Sequence, residues 1–358
     1  MNSRGIICLC LLCLLANKAT AQEKANSLTE PRVRQLTWEL GPTGSRASLR
    51  GLSAGSDGVI WTCGSHGTVL RSLDGGSSWM ECGPAEFSDL EFRSIHAWNG
   101  RLACIASAGS PAVVLRTDDG GTNWREVYRH RSPAAFFDGM KFWDNGCGIV
   151  FGDPIDGAFC ILETTDGGER WRALAPEKSP AALASEAAFA ASNSAMIVST
   201  DGQVWIGTGG PVTDTSRVLL RRRWSDDWKA AHCPLVSSPT SGIFSLARAA
   251  EENCLVAVGG DYRETESSRT TAAFSTDEGQ TWQLAPKPPA SFCSAVVSIA
   301  LPKPVGSLFV ATGPAGSFLS QDGRHWQPFS DRGFHVLAAT SSGLYAAGAD
   351  GRFARLAW

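Results

Sequence analysis

The sequence predicts an all-β protein: seven four-stranded antiparallel sheets in a closed ring, with an N-terminal strand completing the last sheet. Three observations carry this. The stretch Ser72-Leu73-Asp74-Gly75-Gly76-Ser77-Ser78-Trp79 returns at residues 117–124, 164–171 and 275–282. Short apolar runs separated by glycine-rich turns precede each copy. Finally, Leu36-Thr37-Trp38-Glu39-Leu40-Gly41-Pro42 matches Ser78-Trp79-Met80-Glu81-Cys82-Gly83-Pro84, and so offers the strand that the C-terminal sheet lacks. A motif repeated at this interval marks stacked copies of one small unit.

In chain order, residues 1–21 read as a secretory leader. Arg4 supplies the positive start, residues 6–16 the apolar core and Ala19-Thr20-Ala21 the small-residue cleavage pattern. The apolar run is too short to span a bilayer. Leu12 before Cys13 is bulky where a lipoprotein signal wants a small residue. The expectation is a periplasmic or secreted protein starting at Gln22, with residues 22–358 forming one domain.

The first unit has apolar runs at 48–53, 59–63, 68–71 and 79–82, an antiparallel meander of strands A to D. Units two to six follow at 92–128, 136–174, 188–229, 243–284 and 294–329. The aspartates Asp74, Asp119 and Asp166 lie 45 and 47 residues apart, and Asp277 and Asp322 lie 45 apart. A fourth, degenerate copy, Ser225-Asp226-Asp227-Trp228, has lost its glycines; the copy at 320–326 is one residue short. The Ala- and Ser-rich residues 181–195 read as a loop leading into the fourth inner strand. Runs at 334–339, 344–347 and 352–356 give the seventh unit only strands A to C. One Trp per sheet (Trp38, Trp79, Trp124, Trp171, Trp228, Trp282 and Trp326) is expected to be buried between neighbours.

The repeated motif resembles the Asp-box, or BNR repeat, of sialidases and other β-propellers. That resemblance places it at the C–D turn and makes Ser72, Asp74, Trp79, Asp119, Trp124, Asp166, Trp171, Asp277, Trp282, Asp322 and Trp326 structural, with no catalytic residue among them. Gly75 and Gly76 suit a turn that needs positive φ. The Ser72 and Asp74 side chains can bond turn amides.

Net charge is −3, and Arg221-Arg222-Arg223, the one basic cluster, reads as a solvated strand edge. Nucleic acid is therefore not an expected partner. Eight cysteines follow the leader without a CxxC pair; Cys147 and Cys160, flanking a hairpin, are the best candidates for a bridge. HExxH, P-loop and strand-to-helix GxGxxG patterns are missing, so no metal and no cofactor is expected. His66 and His335 fall near the channel mouth without forming a metal motif. The mature chain is expected to be a monomer without a transmembrane segment.

A meander puts the B–C and D–A loops on one face. The B–C loops of units three to five, at 152–157, 209–216 and 259–266, are long, and long loops on a rigid scaffold carry function. This face holds Asp138, Asp153, Glu186, Ser241, Asp261 and Tyr262. A glycosidase needs two carboxylates about 5–9.5 Å apart, which Asp138, Asp153, Glu186 and Asp261 could supply. A sialidase needs a Tyr–Glu nucleophile pair, and only Tyr262 of the three tyrosines falls on a loop.

The whole mature chain resembles the Ycf48-like photosystem II assembly and stability factors. Leu49-Arg50-Gly51-Leu52, the stretch from Gly64 to Trp79, and Phe92-Arg93-Ser94-Ile95 carry the resemblance. It implies a non-enzymatic platform for a membrane-protein precursor with an arginine-bearing surface, here Arg50 and Arg93. Phe136-Phe137-Asp138-Gly139-Met140, Gly152-Asp153-Pro154, Ser241-Gly242-Ile243-Phe244-Ser245 and Gly259-Gly260-Asp261-Tyr262 are also similar to exported bacterial propellers of unknown role, some labelled oxidoreductases. The expected function is a binding platform for a protein or an extracellular glycan. The alternative is a glycoside hydrolase or sialidase-like enzyme, and an oxidoreductase comes third, by label only.

Overall fold

The computed structural model describes residues 36–357, apart from 56, 211–214, 250–252, 267–269, 302–305 and 342. The leader, and part of the 209–216 loop, lie outside the described residues.

Seven four-stranded antiparallel sheets, the blades, form the ring. A lone strand β1 (Thr37–Pro42) comes first. Blade 1 is β2 (Leu49–Ala54), β3 (Ile60–Gly64), β4 (Val69–Ser72) and β5 (Met80–Glu81). Blade 2 is β6 (Phe92–Ala97), β7 (Ala103–Ser107), β8 (Val113–Thr117) and β9 (Arg125–Arg129). Blade 3 is β10 (Phe137–Phe142), β11 (Gly148–Ile155), β12 (Ala158–Thr164) and β13 (Arg172–Ala173). Blade 4 is β14 (Met196–Val198), β15 (Gln203–Gly207), β16 (Ser216–Arg222) and β17 (Lys229–Cys233). Blade 5 is β18 (Ser241–Arg248), β19 (Leu255–Asp261), β20 (Ala272–Ser275) and β21 (Gln283–Leu284). Blade 6 is β22 (Ala295–Leu301), β23 (Gly306–Gly313), β24 (Gly316–Ser320) and β25 (Gln327–Ser330). Blade 7 is β26 (Val336–Thr340), β27 (Gly343–Ala347) and β28 (Arg352–Ala357), completed by β1.

Burial follows distance from the ring axis. Second strands such as β3, β7 and β27 are buried at every residue, because a neighbouring blade covers each face. Their near-continuous apolar sequence follows from that. Outer strands such as β5, β13 and β21 are exposed. The inner strands β2, β6, β10, β14, β18, β22 and β26 each touch the next, and β26 touches β2.

Closure occurs where expected: β1 pairs with β28, from Thr37 opposite Ala357 to Pro42 opposite Arg352. Trp38 is buried, donates its Nε1 to Ser317 Oγ at 3.1 Å and packs on Phe334 at 5.0 Å between ring centroids. Of the seven repeat tryptophans, Trp38, Trp171, Trp282 and Trp326 are buried, while Trp79, Trp124 and Trp228 are half-buried.

The repeated turns share one bonding scheme. Ser72 Oγ donates to Asp74 Oδ1 at 2.8 Å and accepts the Gly76 amide at 2.8 Å. Asp74 Oδ1 also accepts the Ser78 amide at 2.8 Å. The same scheme recurs around Asp119, Asp166 and Asp277, with a shortened form at Asp322. Gly76 has φ of 90°, and a Cβ there would lie 2.3 Å from the Phe353 ring, so that position needs glycine.

Two sequence expectations are corrected. Cys147 and Cys160 are not bridged to each other. Cys160 stands opposite Gly152, while Cys147 lies before β11. Five residues of strand separate Cys147 from Cys160's register position, about 16 Å, far beyond disulfide reach. Arg221 is not a solvated edge residue: it is buried, ion-paired with Glu163 and stacked at 4.6 Å on Trp228. Arg222 is exposed, and Arg223 pairs with Asp144 at 2.6 Å.

The loop leading into blade 4 does more than connect. Residues 187–195 run inward and tie the ring together from its centre. Asn193 Oδ1 accepts the Met140 amide of blade 3 at 2.8 Å, and its Nδ2 donates to the Ile95 carbonyl of blade 2 at 3.3 Å. Ser192 Oγ donates to the Ser294 carbonyl beside blade 6 at 2.7 Å, and Ser194 Oγ meets Ser245 Oγ of blade 5 at 2.7 Å. Asn193 adopts φ of 57°, a left-handed conformation that Asn tolerates better than most residues.

Two outcomes follow. Deleting Thr37–Pro42 exposes the β28 edge and should abolish recovery of soluble, monodisperse protein, read by size exclusion. Asn193→Ala strands two buried backbone groups and should lower urea-unfolding stability by about 2–5 kcal/mol. Ser192→Ala, which frees one carbonyl, should cost about 1 kcal/mol.

Candidate functional site

The inner strands begin with a repeated irregularity. In β2, β6, β10 and β18 the register with the next strand slips by one residue near the start, between Leu49 and Gly51, Phe92 and Ser94, Phe137 and Gly139, and Ile243 and Ser245. The extra residue in each bulge is Arg50, Arg93, Asp138 and Phe244. A bulge takes one residue out of the ladder and re-aims its side chain. A small residue follows each. At Gly51 a Cβ would lie 2.4 Å from Cys63 Sγ.

Arg50, Arg93 and Phe244 line a cavity of about 470 Å³ on the face bearing the B–C and D–A loops. Blade 7 adds His335, and blade 6 adds Phe292, Ser294 and Pro314. Blade 3 adds Phe136 and Asp153, blade 5 Pro239 and Tyr262, and residues 188–191 complete the lining. All seven blades therefore contribute to one cup. Its size is that of a small-ligand or side-chain pocket.

The cup is two-sided. Arg50, Arg93 and His335 come from blades 1, 2 and 7. Arg50 has no hydrogen-bond or ion-pair partner among the described residues. Burial, then the neighbouring Arg93 charge, lowers its pKa. Arg93 is held by Glu91 at 2.5 Å and donates to the Ala190 carbonyl at 3.3 Å. Burial, then Arg50, pulls the His335 pKa down to about 4, so this imidazole is neutral at pH 7. The other side is aromatic. Phe189 stacks on Phe244 at 4.1 Å, Phe292 meets Phe244 edge-on at 4.7 Å, and Tyr262 lies 6.3 Å from Phe244.

No family model matches this chain, and no curated protein matches it. Solved structures do. YCF48 bound to a D1 peptide is 18% identical, over 90% of this chain and 95% of that one, with a TM-score of 0.62. YCF48 from Cyanidioschyzon merolae is 16% identical, over 89% and 98%, with a TM-score of 0.61. The fold is that of a Ycf48-like propeller. The GH74 enzyme of Niastella koreensis is 11% identical, over 88% of this chain and 60% of that one, with a TM-score of 0.56.

Of the residues singled out in the sequence, Arg50, Arg93, Asp153, Tyr262 and His335 meet at the cup. The others do not line it. Glu186 accepts from Thr208 Oγ1 at 2.6 Å, from Arg217 Nε at 2.8 Å and from the Leu183 amide at 2.9 Å, anchoring its own loop. Ser241 bonds Ser238, and Asp261 accepts from Thr240 Oγ1 at 2.8 Å and the Arg263 amide at 2.9 Å. Asp138 is wholly buried, and neither carboxyl oxygen has a hydrogen-bond partner. Burial, then the nearby Asp153, raises its pKa well above the carboxylate range. Asp153 is also raised by burial, and its Oδ1 accepts the Ala188 amide at 3.0 Å.

Sequence reasoning missed Phe189, Phe244 and Phe292. The available signal was the pattern apolar, variable, small, apolar, which Leu49-Arg50-Gly51-Leu52, Phe92-Arg93-Ser94-Ile95, Phe137-Asp138-Gly139-Met140 and Ile243-Phe244-Ser245-Leu246 share. His66, also placed near the mouth, is exposed outside the cup. No cluster of three or more His, Cys, Asp or Glu able to hold a metal occurs among the described residues. Burial pushes the Cys104 and Cys233 thiols up to about 12, which removes their nucleophilic form at neutral pH.

Asp138 yields a pH prediction. Its folded pKa lies above the unfolded value of about 3.9, so the folded chain loses stability as pH rises from about 4 through the folded pKa. Asp138→Asn removes this ionisation. The variant's melting temperature should gain on the parent as pH rises above about 4, until the folded Asp138 has ionised; a pH-independent difference would show that Asp138 is compensated.

Proposed function

We propose that this chain is a non-enzymatic, exported binding platform that seats a polypeptide segment in the cup. Arg50 carries this reading. It is a half-buried guanidinium with no hydrogen-bond or ion-pair partner among the described residues, beside Arg93, whose charge Glu91 already pairs; one positive charge is left over, and a ligand carboxylate would supply its counter-ion. The likeness in fold to YCF48, which has been solved with a D1 peptide, supports a polypeptide as the bound class.

The carbohydrate-acting alternative has less support. A glycosidase needs two carboxyl groups reaching opposite sides of one bond. Asp138 is sealed from the cup, Glu186 and Asp261 are engaged in loop anchoring, and among the described carboxylates only Asp153 lines the cavity. The GH74 likeness, at 11% identity, is one of fold. No helix among the described residues is long and apolar enough to cross a membrane.

The reading is tested by fluorescence anisotropy with labelled acidic peptides. Arg50→Ala and Arg93→Ala should each weaken binding about tenfold or more, and Arg50→Lys should recover only part of it. Rising salt should weaken binding by the parent most, because screening acts on the ionic contact. Unchanged affinity in both Ala variants, or turnover of a glycoside lost on Asp153→Asn, would overturn the proposal. Export is checked separately: the purified mature chain should begin at Gln22.

A further inference from the structure

The same inner-strand bulge presents a charged residue in blades 1, 2 and 3 and an aromatic one in blade 5. Phe244 thus stands where Arg50 and Arg93 stand in their own blades, and it is the centre of a separate cluster with Phe189, Phe292 and Ala191. Phe244 and Phe292 are nearly covered, whereas Tyr262 is 43% exposed at the rim and Phe189 is half-buried. The cluster is therefore packed behind and open in front, toward the cavity that Arg50 and Arg93 face from the far side.

Ordinary core packing does not account for this. Each interblade core joins residues from neighbouring sheets, whereas these rings converge on the axis, from the approach to blade 4, the bulge of blade 5 and the approach to blade 6. Their open face is apolar, and Pro239 and Pro314 extend it. An apolar wall across from two guanidiniums suits a ligand with a bulky side chain and an anionic group close together. The cavity, about 470 Å³, has room for both.

We propose that the cup is selective for a polypeptide segment in which a large apolar residue, aromatic or branched aliphatic, neighbours an acidic group. Phe189, Phe244, Phe292 and Tyr262 form the subsite for the apolar side chain. This rests on the binding reading above and adds the selectivity. Burying a Phe or Leu side chain is worth about 10- to 100-fold in affinity, so the preference should be large enough to read directly.

The experiment uses the full mature chain and labelled peptides Gly-Ser-Gly-X-Glu, with X as Phe, Leu or Ala. The Phe and Leu peptides should bind at least about tenfold tighter than the Ala peptide. Tyr262→Ala and Phe189→Ala should shrink that ratio, weakening the Phe and Leu peptides more than the Ala peptide. Phe244→Leu, which keeps an apolar side chain at this position, serves as a variant expected to fold, checked by its melting curve, and should still bind the Phe and Leu peptides more tightly than the Ala peptide. If all three peptides bind equally, and Arg50→Ala still abolishes binding, the apolar subsite is overturned and the platform survives. If no peptide binds the parent chain, both are overturned.

Discussion

The pairing of β1 with β28 is the contact on which the remaining architecture depends. Successive blades are joined by continuous chain at every junction of the ring except within blade 7, where chain beginning and chain end must meet. Without β1, blade 7 keeps three strands, the β28 edge is unpaired and Trp38 no longer fills the space beside Phe334. Main-chain bonds alone would hold that seam weakly. The buried indole, bonded to Ser317 in blade 6, fixes it from the side.

A second constraint acts from the inside. Asn193, Ser192 and Ser194 reach blades 2, 3, 5 and 6, or their approaches, from one short segment. The ring is thus fastened at its rim by a strand and at its axis by side-chain amide and hydroxyl groups. The same segment carries Phe189 and offers the Ala188 amide and Ala190 carbonyl to Asp153 and Arg93. Stability and site construction meet in these residues, which explains why two of the charged groups expected to face a ligand also spend bonding capacity on the chain itself.

The blades were legible because their signals are local. A Ser or Thr two residues before an Asp, two glycines, then a Trp defines a turn through bonds that span only a few residues. The seam was legible because β1 repeats the outer-strand sequence. The face was legible because strand order in a meander dictates which loops lie together. The cup was not fully legible. Glu186 and Asp138 carry the same chemistry in the sequence as Asp153, yet Thr208 and Arg217 take up the first and burial isolates the second. Such differences arise from long-range packing, which no short window records. The Cys147 and Cys160 expectation failed similarly: nearness in sequence across a hairpin says little when the two residues sit at opposite ends of it.

The segment at the axis also decides how anything can be held. With residues 187–195 crossing the middle and linked to several blades, the ring has a floor instead of a bore. A long polymer cannot be threaded from one side to the other; it can only dip in and come back out, or insert a tip. Such a vessel favours loose ends and tight bends over the interior of an extended chain, whatever their side chains.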